Sequence, residues 1–487
     1  MPSMGLYRVE ELRAIEAAAA AQLPPRTLMQ RAGRAAADFV ARRYRAAQRV
    51  LIVCGPGNNG GDGYELAVHL KQAGRDVRCV ALAAPTAEDA RGARALWDST
   101  GGNTLAAPPA QERFDLVVDA MFGIGMARPL AGRFLDAVRW MRSQPAPVLA
   151  LDLPSGLDAD TGAWVGGIAG VGADATITFI GAKPGLFTHS GCDAAGFVEV
   201  ADLDLPPADP AGWLNTQEHF ATVAAPRRRD THKGSFGDVA VVGGGVGMVG
   251  APLLAARAAL RLGAGRVYVD SIGAPQLRLD PAQPELMFRP LASLHSADAW
   301  VVGCGLGTDQ PARNALANFL DRDGAVVFDA DALHLMSADS DLRARCVAAG
   351  ATRVLTPHPL EAARLLGTDA PAVQADRIAA VRQLAQRFAA LVVLKGAGSV
   401  IAEPGGRYWI NPTGSPALAT PGTGDVLAGM IGALLAQHYD PLQAVLAAVW
   451  LHGAAADRFG ADVGLVAGDL PALAATVLAE ERGATQG

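Results

Sequence analysis

The chain is expected to be an α/β protein of two domains, each built on a parallel sheet. Three observations predict this. Short apolar runs alternate with helical stretches along most of the chain, the pattern of parallel strands joined by crossover helices. A length of 487 residues suits two or three domains at roughly 100–200 residues each. The 56 glycines and an aromatic content of only 6% fit many tight βα turns around a core of Ala, Val and Leu.

The elements follow in order. Glu10–Gln22 and Thr27–Tyr44 are predicted helices split by Pro24 and Pro25; Leu28, Ala32, Ala35 and Phe39 recur at helical spacing in the second. Arg49–Cys54 is an apolar run of the kind buried in a parallel sheet. Further strands are expected at 77–82, 116–120, 148–151, 176–179 and 197–200. Residues 204–225 are proline-rich and without a period, which makes them the linker candidate. The domains are accordingly expected at 1–210 and 211–487. The second has predicted strands at 238–243, 266–270, 299–303, 325–329, 353–356, 390–395, 399–402 and 408–411. The last two form a hairpin turning at Pro404-Gly405-Gly406, and helices are expected over Asp425–Gln437 and Pro441–Ala455.

Charge and cysteine usage exclude several classes. A net charge of −6 gives no reason to invoke nucleic acid or an anionic membrane. The five cysteines are scattered and form no C-x-x-C, which argues against zinc and a disulfide framework and for a reducing compartment. The N-terminus lacks the apolar core of a signal peptide. Val239–Ala256 is uncharged and long, but its five glycines and Pro252 fit strand, loop and helix start better than a membrane span. A soluble cytoplasmic protein acting on small molecules is expected, and a homo-oligomer.

The richest stretch is Gly422-Thr423-Gly424-Asp425, followed by an apolar run. A glycine loop opening a helix presents free N–H groups and partial positive charge to phosphate. A carboxylate there is placed to take a proton from a hydroxyl. Together these suit phosphoryl transfer to an alcohol; as plain structure they are a turn with a capping aspartate. Gly55-Pro-Gly57-Asn-Asn-Gly60 and Gly245-Val-Gly247-Met-Val-Gly250 both match G-x-G-x-x-G. Only the second has an acid, Asp270, closing the next strand, so a dinucleotide dehydrogenase is weakly indicated.

The first loop is richer than that fingerprint requires. Asn58, Asn59, Gly60, Gly61 and Asp62 offer amides for phosphate and carbonyls or a carboxylate for a hard cation. The bland alternative is a tight turn with Asp62 as helix cap. Asp119 and Asp152 end successive strands, and acids so placed converge on the crevice where open α/β sheets bind ligands. Asp119, Ser155 and Asn59 could supply oxygens to a cation, and Asp152 could act as acid or base. Lys183 follows another strand and is expected at the same edge. In the second half, Lys395 can pair with phosphate while Gly396 and Gly398 let the backbone close in. His358, between two prolines, suits positioning a substrate rather than a metal.

In this order the motifs resemble the bifunctional NAD(P)H-hydrate repair enzyme family over nearly the whole chain. Gly57–Gly63, Asp119–Gly125 and Asp152–Gly156 carry the resemblance in the first half. His232-Lys233-Gly234, Gly250–Pro252, Pro284–Met287, Asp329-Ala330-Asp331, Leu355–His358, Lys395–Gly398 and Gly422–Asp425 carry it in the second. The resemblance implies a Rossmann-like α/β/α N-terminal sandwich and a ribokinase-like C-terminal domain. It implies an NAD(P)HX epimerase joined to an ADP-dependent (S)-NAD(P)HX dehydratase, with substrates NADHX, NADPHX and ADP.

The resemblance also implies site residues. In the epimerase half, Asn58, Asn59, Gly60, Gly61, Asp62, Gly123, Ile124, Gly125, Met126, Ala127, Arg128, Pro129 and Asp152 hold the hydrate. Asn59, Asp119 and Ser155 hold K⁺, and Asp152 is catalytic, with Lys183 assisting. In the dehydratase half, Lys395, Gly396, Ala397, Gly398, Ser399 and Gly424 bind the nucleotide with Mg²⁺. Ala251, Gly307, His358 and Asp425 line the hydrate site, with Asp425 catalytic. Cys304 stands where the family commonly has proline, and Leu360, Ser415 and Ala417-Leu418 also depart from its pattern. A ribokinase-type kinase, a dehydrogenase and a non-catalytic dinucleotide-binding module remain as alternatives.

Overall fold

The computed structural model describes residues 4–320, 322–348 and 351–484. It divides into two compact units, Gly5–Ala211 and Gly212–Gly487, with Met4 in the second.

The first unit holds a wholly parallel sheet. Its spatial order is Asn103–Leu105, Asp76–Ala81, Arg49–Cys54, Leu116–Ala120, Val148–Leu151, Ala175–Phe179 and Phe197–Ala201. The central strands are mostly apolar because both faces are covered. Val50, Ile52 and Cys54 pack with Met29, Ala36 and Phe39 of the helix Thr27–Arg43. Leu51 and Val53, pointing the other way, pack with Ala137, Val138 and Met141 of the helix Arg133–Arg142. The strand order reverses between Arg49–Cys54 and Leu116–Ala120. Loops part at such a switch point and leave a crevice at the carboxyl edge.

In the second unit the sheet runs Gly212–Leu214, Tyr408–Ile410, Val400–Ala402, Leu391–Leu394, Arg353–Leu355, Ala325–Phe328, Ala299–Val302, Asp238–Gly243, Arg266–Ser271 and Met287–Phe288. Only the pairings of Val400–Ala402 with its two neighbours are antiparallel. The order reverses between Asp238–Gly243 and Ala299–Val302, so a second crevice is expected beyond Gly243 and Val302. The helix Thr423–Ala436 is buried from Val426 to Ala436, as expected of an apolar helix laid on a sheet. Gly429 lets it approach the helix Gly250–Arg261: a Cβ there would stand 2.0 Å from the Ala255 carbonyl oxygen.

The predicted linker is corrected by the structure. Gly212–Leu214 is a strand parallel to Tyr408–Ile410, and Gln217–Phe220 and Ala221–Ala224 are helical. The reason is burial that sequence periodicity did not signal. Trp213 stacks on Trp409 with ring centroids 5.6 Å apart, and Phe220 and Val223 lie in the core. The short strands Asn103–Leu105 and Met287–Phe288 were not expected, being edge pieces too short to show alternation. Asp62 is not a helix cap; it lies inside the helix Asn58–Gln72, whose cap is Gly57. Residues 239–256 divide between a strand, a loop and a helix start. Among the described residues no helix is long and apolar enough to cross a membrane.

Gly429→Ala is expected to destabilise the second unit by about 1–3 kcal/mol, because neither helix backbone can yield without moving the other. A thermal or urea unfolding series checks this; an unchanged midpoint would show that the helices are free to separate.

Candidate functional site

The first crevice is built by three strand ends. After Arg49–Cys54 the chain turns sharply at Gly55, where a Cβ would stand 1.9 Å from the Met121 carbonyl oxygen. Gly60 has the same need against the Gly55 oxygen, at 2.0 Å. This close packing sets Asn58–Asp62, at the start of their helix, beside the loop after Leu116–Ala120.

Asp119 is fully buried. Its Oδ1 accepts from the Ser155 hydroxyl at 2.7 Å and the Met121 N–H at 3.1 Å, and its Oδ2 from the Ser155 N–H at 2.7 Å. Burial still drives its pKa up to about 6 against these hydrogen bonds. Asn59 is buried too, and neither side-chain atom of its amide has a hydrogen-bond partner among the described residues. A buried amide left unpaired is costly. An orphaned carbonyl oxygen, a buried carboxylate and a hydroxyl are the donor set of a hard cation, so these residues fit K⁺.

Asp152 has φ of +64°, a strained conformation for a non-glycine residue and one that recurs at functional sites. Its Oδ1 accepts from the Lys183 ammonium at 2.6 Å. Its Oδ2 accepts from the Ile124 N–H at 3.3 Å. Gly123 must be glycine, since a Cβ would sit 2.5 Å from that oxygen. Lys183 is 2% exposed and also donates to the Thr178 hydroxyl at 2.8 Å and the Phe179 carbonyl at 2.7 Å. Its three donors are thus all used, and its direction is fixed. Asp62 is held well above the usual carboxylate range by burial and by Asp152, Glu16 and Glu65. The structure therefore brings Asp62, Gly123, Ile124, Asp152 and Lys183 together, while Ala127, Arg128 and Pro129 are exposed farther along the loop.

The second crevice gathers Asp425, Lys395, Asp329 and Cys304. Gly422, at φ +92°, caps the helix that carries Asp425 in its first turn. The Lys395 ammonium donates to Asp329 Oδ1 at 2.7 Å, and the Thr356 hydroxyl donates to the same oxygen at 2.8 Å. A Cβ on Gly424 would stand 3.2 Å from the Lys395 ammonium, so the helix terminus and the lysine face one space. Asp425 is pushed up to about 6, by burial first and by Asp329 next, with Cys304 and Lys395 pulling the other way. Glu361 is pushed up to about 7, chiefly by burial. Lys395 stays charged, because Asp329 and Glu361 offset its burial.

The flanking residues are positioned by backbone. His358 is the N-cap of the helix Pro359–Leu366: its Nδ1 accepts from the N–H groups of Leu360 and Glu361, and Glu361 returns a bond to the His358 N–H at 2.8 Å. The Gly307 N–H donates to Asp331 Oδ2 at 2.8 Å. Ala251, in the first turn of its helix, lies against Gly305. Asp270, the acid expected of a dinucleotide fingerprint, accepts from the Leu291 N–H at 2.7 Å and is thus engaged in fixing a loop.

Sequence reasoning missed Arg377, Glu361, Thr178 and Glu16. Arg377 is 1% exposed and braces the Lys395–Ser399 loop from beneath, donating toward the carbonyls of Leu394, Lys395 and Gly398. No local pattern announces such a residue. Glu361 had a signal, a capping box three residues after His358.

Fold and sites define an α/β protein with a separate cluster of charged residues at the switch point of each of two sheets. A family model described as YjeF-related protein N-terminus matches residues 25–185, and one described as NAD(P)H-hydrate dehydratase matches 239–479. The chain is 39% identical over 465 residues to the bifunctional NAD(P)H-hydrate repair enzyme Nnr of Escherichia coli, covering 91% of this chain and 87% of the relative. It is 36% identical to the Moorella thermoacetica enzyme of the same name, covering 92% and 91%. Among solved structures it is similar to the ADP/ATP-dependent NAD(P)H-hydrate dehydratase of Bacillus subtilis co-crystallised with ATP/Mg²⁺. That match has 32% identity, covers 55% of this chain and 98% of that one, and has a TM-score of 0.49. The chain belongs to the bifunctional NAD(P)H-hydrate repair enzyme family.

Lys183→Met would leave Asp152 largely buried beside an apolar chain. It is expected to destabilise the first unit by about 3 kcal/mol, the cost of removing one partner of a buried pair. Urea unfolding measures this; a loss under about 1 kcal/mol would mean that water already reaches the pair.

Proposed function

We propose that the chain repairs hydrated nicotinamide dinucleotides in two steps, epimerising NAD(P)HX in the first unit and dehydrating the S epimer in the second. One observation carries the reading: each crevice pairs a lysine, buried in the first and partly buried in the second, with an aspartate at the sheet's carboxyl edge, and the second adds Asp425 at a glycine-opened helix terminus.

In the first site, Asp152 serves as acid and base at C6 while the ring opens and recloses. Lys183 holds one carboxylate oxygen and so leaves the other, on the Gly123–Ile124 side, to face substrate. Asn58–Asp62 and Gly123–Pro129 bind the dinucleotide. Asn59, Asp119 and Ser155 would hold K⁺, which would supply fixed positive charge to the site.

In the second site, Asp425 takes the proton from the C6 hydroxyl, and the alkoxide oxygen attacks the terminal phosphate of ADP. AMP leaves. The C6 phosphate is then expelled as inorganic phosphate with loss of the neighbouring proton, restoring the ring double bond. Lys395, Gly396, Ala397, Gly398, Ser399 and Gly424 hold the nucleotide through ammonium charge and backbone N–H groups. Ala251, Gly307 and His358 shape the pocket for the hydrate. Mg²⁺ would come with the nucleotide and neutralise phosphate charge there.

The test follows absorbance at 340 nm with mixed R and S NADHX, Mg²⁺, K⁺ and ADP or ATP. Full recovery with ADP is expected; recovery of the S fraction alone would remove the epimerase, and no recovery would favour a ribokinase-type kinase. Asp152→Asn is expected to stop epimerisation and spare dehydration, and Asp425→Asn the reverse. Because ionised Asp425 is the working form, kcat/KM for dehydration should fall as pH drops through about 6. K⁺ should raise the thermal midpoint above that in an equal concentration of a bulky organic cation, and Asn59→Ala should abolish the difference. An equal response in the variant would move the cation elsewhere.

A further inference from the structure

His452 is a buried polar side chain that the proposed dehydration leaves unused. It lies in the helix Pro441–Phe459 and is 8% exposed. Its Nε2 stands 2.9 Å from the Thr423 carbonyl oxygen. A carbonyl can only accept, so Nε2 carries the proton and donates. Burial lowers the imidazole pKa to about 4, so at neutral pH the ring has one proton and Thr423 receives it. Thr423 opens the helix that carries Asp425. The N–H groups of Thr423, Gly424 and Asp425 have no acceptor within that helix. The Thr423 hydroxyl is shared between the carbonyls of Leu418 at 3.1 Å and Thr420 at 3.2 Å. Thr423 is thus held from two sides, by its own loop and by a different helix. That second helix is itself fixed beside the site. The Thr413 hydroxyl donates to the Trp450 carbonyl at 2.9 Å, and the Gly414 N–H donates to Asp457 Oδ2 at 3.0 Å. A Cβ on Gly453 would stand 2.3 Å from the Thr413 hydroxyl oxygen.

We propose that His452 is a positioning residue for the nucleotide: by donating to the Thr423 carbonyl it fixes the first turn of Thr423–Ala436, so that the free N–H groups there meet the terminal phosphate in one orientation. This rests on the dehydratase reading. Donors aimed before the anion arrives need no reorganisation during transfer, and a small misplacement of the phosphate is costly in rate. The Thr423 carbonyl also lies in the i→i+4 ladder of its own helix. Losing His452 would therefore loosen the turn without orphaning a buried acceptor. The hydrate is assigned to Ala251, Gly307 and His358 on other loops, so the effect should fall on the nucleotide.

The experiment compares full-length wild type with His452→Leu, His452→Gln and His452→Asn. It reads kcat and the separate KM values for ADP and S-NADHX, with Mg²⁺ present, and the rise in thermal midpoint that Mg²⁺ and ADP give each protein. Leucine fills the space without a donor. It is expected to lower kcat/KM for ADP roughly threefold to tenfold, to leave the KM for S-NADHX nearly unchanged, and to shrink the nucleotide-induced rise in midpoint. The glutamine amide reaches the place of Nε2 and should restore most of both losses; the asparagine amide falls short and should not. A folded leucine variant with wild-type kcat/KM for ADP overturns the proposal. So does a folded glutamine variant as impaired as leucine, since packing and not the hydrogen bond would then be at work. If leucine does not fold, the amides decide: equal rates for glutamine and asparagine overturn it. Wild type that is stabilised by ADP yet dehydrates nothing would remove the dehydratase reading alone, and the midpoint shifts would still test His452.

Discussion

Each crevice depends on a lysine that is wholly or partly withdrawn from water and given a carboxylate. Lys183 and Asp152 form one pair and Lys395 and Asp329 the other. Such pairs contribute little net stability, because desolvating two charges offsets most of their attraction. Their value lies in direction. Lys183 spends its donors on Asp152, Thr178 and Phe179, so the carboxylate cannot rotate freely. Lys395 is held by Asp329 from one side and faces the Gly424 backbone on the other. A point charge fixed in this way is organised before any anion arrives, and little reorganisation is then needed during reaction.

Backbone proximity is the second constraint. Both switch points bring two strand-end loops closer than side chains allow. Gly55 against Met121 does this in the first unit, and Gly243 against Cys304 in the second, where a Cβ would stand 2.1 Å from the carbonyl oxygen. These glycines let the strand-end loops close on one another and hydrogen-bond directly, as the Gly55 N–H does to the Ala120 carbonyl at 3.0 Å. Glycine also leaves room beside the acids: a Cβ on Gly123 would stand 2.5 Å from Asp152 Oδ2, and Asp425 follows Gly424 directly.

These two constraints differ in how far the sequence reveals them. Glycine-rich strand ends, acids at Asp119, Asp152 and Asp425, and the apolar runs between them are local patterns, and most strands were legible within a residue or two. The partners that hold the acids are not local. Thr178 belongs to a strand that reads as ordinary β, and Arg377 lies in a helix whose pattern gives no hint that its guanidinium braces Lys395–Ser399. The strand Gly212–Leu214 was hidden for the same reason: its stability comes from Trp409 and the neighbouring core, far along the chain. Long-range pairing overrides the proline-rich composition around it.

Asp119 and Asp425 show why a raised carboxylate does not by itself define a role. Burial brings both to about 6. Around Asp119 the hydrogen bonds come from Ser155 and Met121, and the buried Asn59 amide of the same unit has no partner among the described residues. Around Asp425 the neighbouring charges oppose one another: Asp329 and Asp331 raise its pKa and Lys395 lowers it. Any anion entering that space changes the balance, because it competes for Lys395. Bound phosphate would weaken the hold of Lys395 on the ionised form and make Asp425 a stronger base at the moment the alcohol is to be deprotonated. The groups around Asp425 therefore respond to whatever anion enters, whereas those around Asp119 are held by hydrogen bonds within the fold.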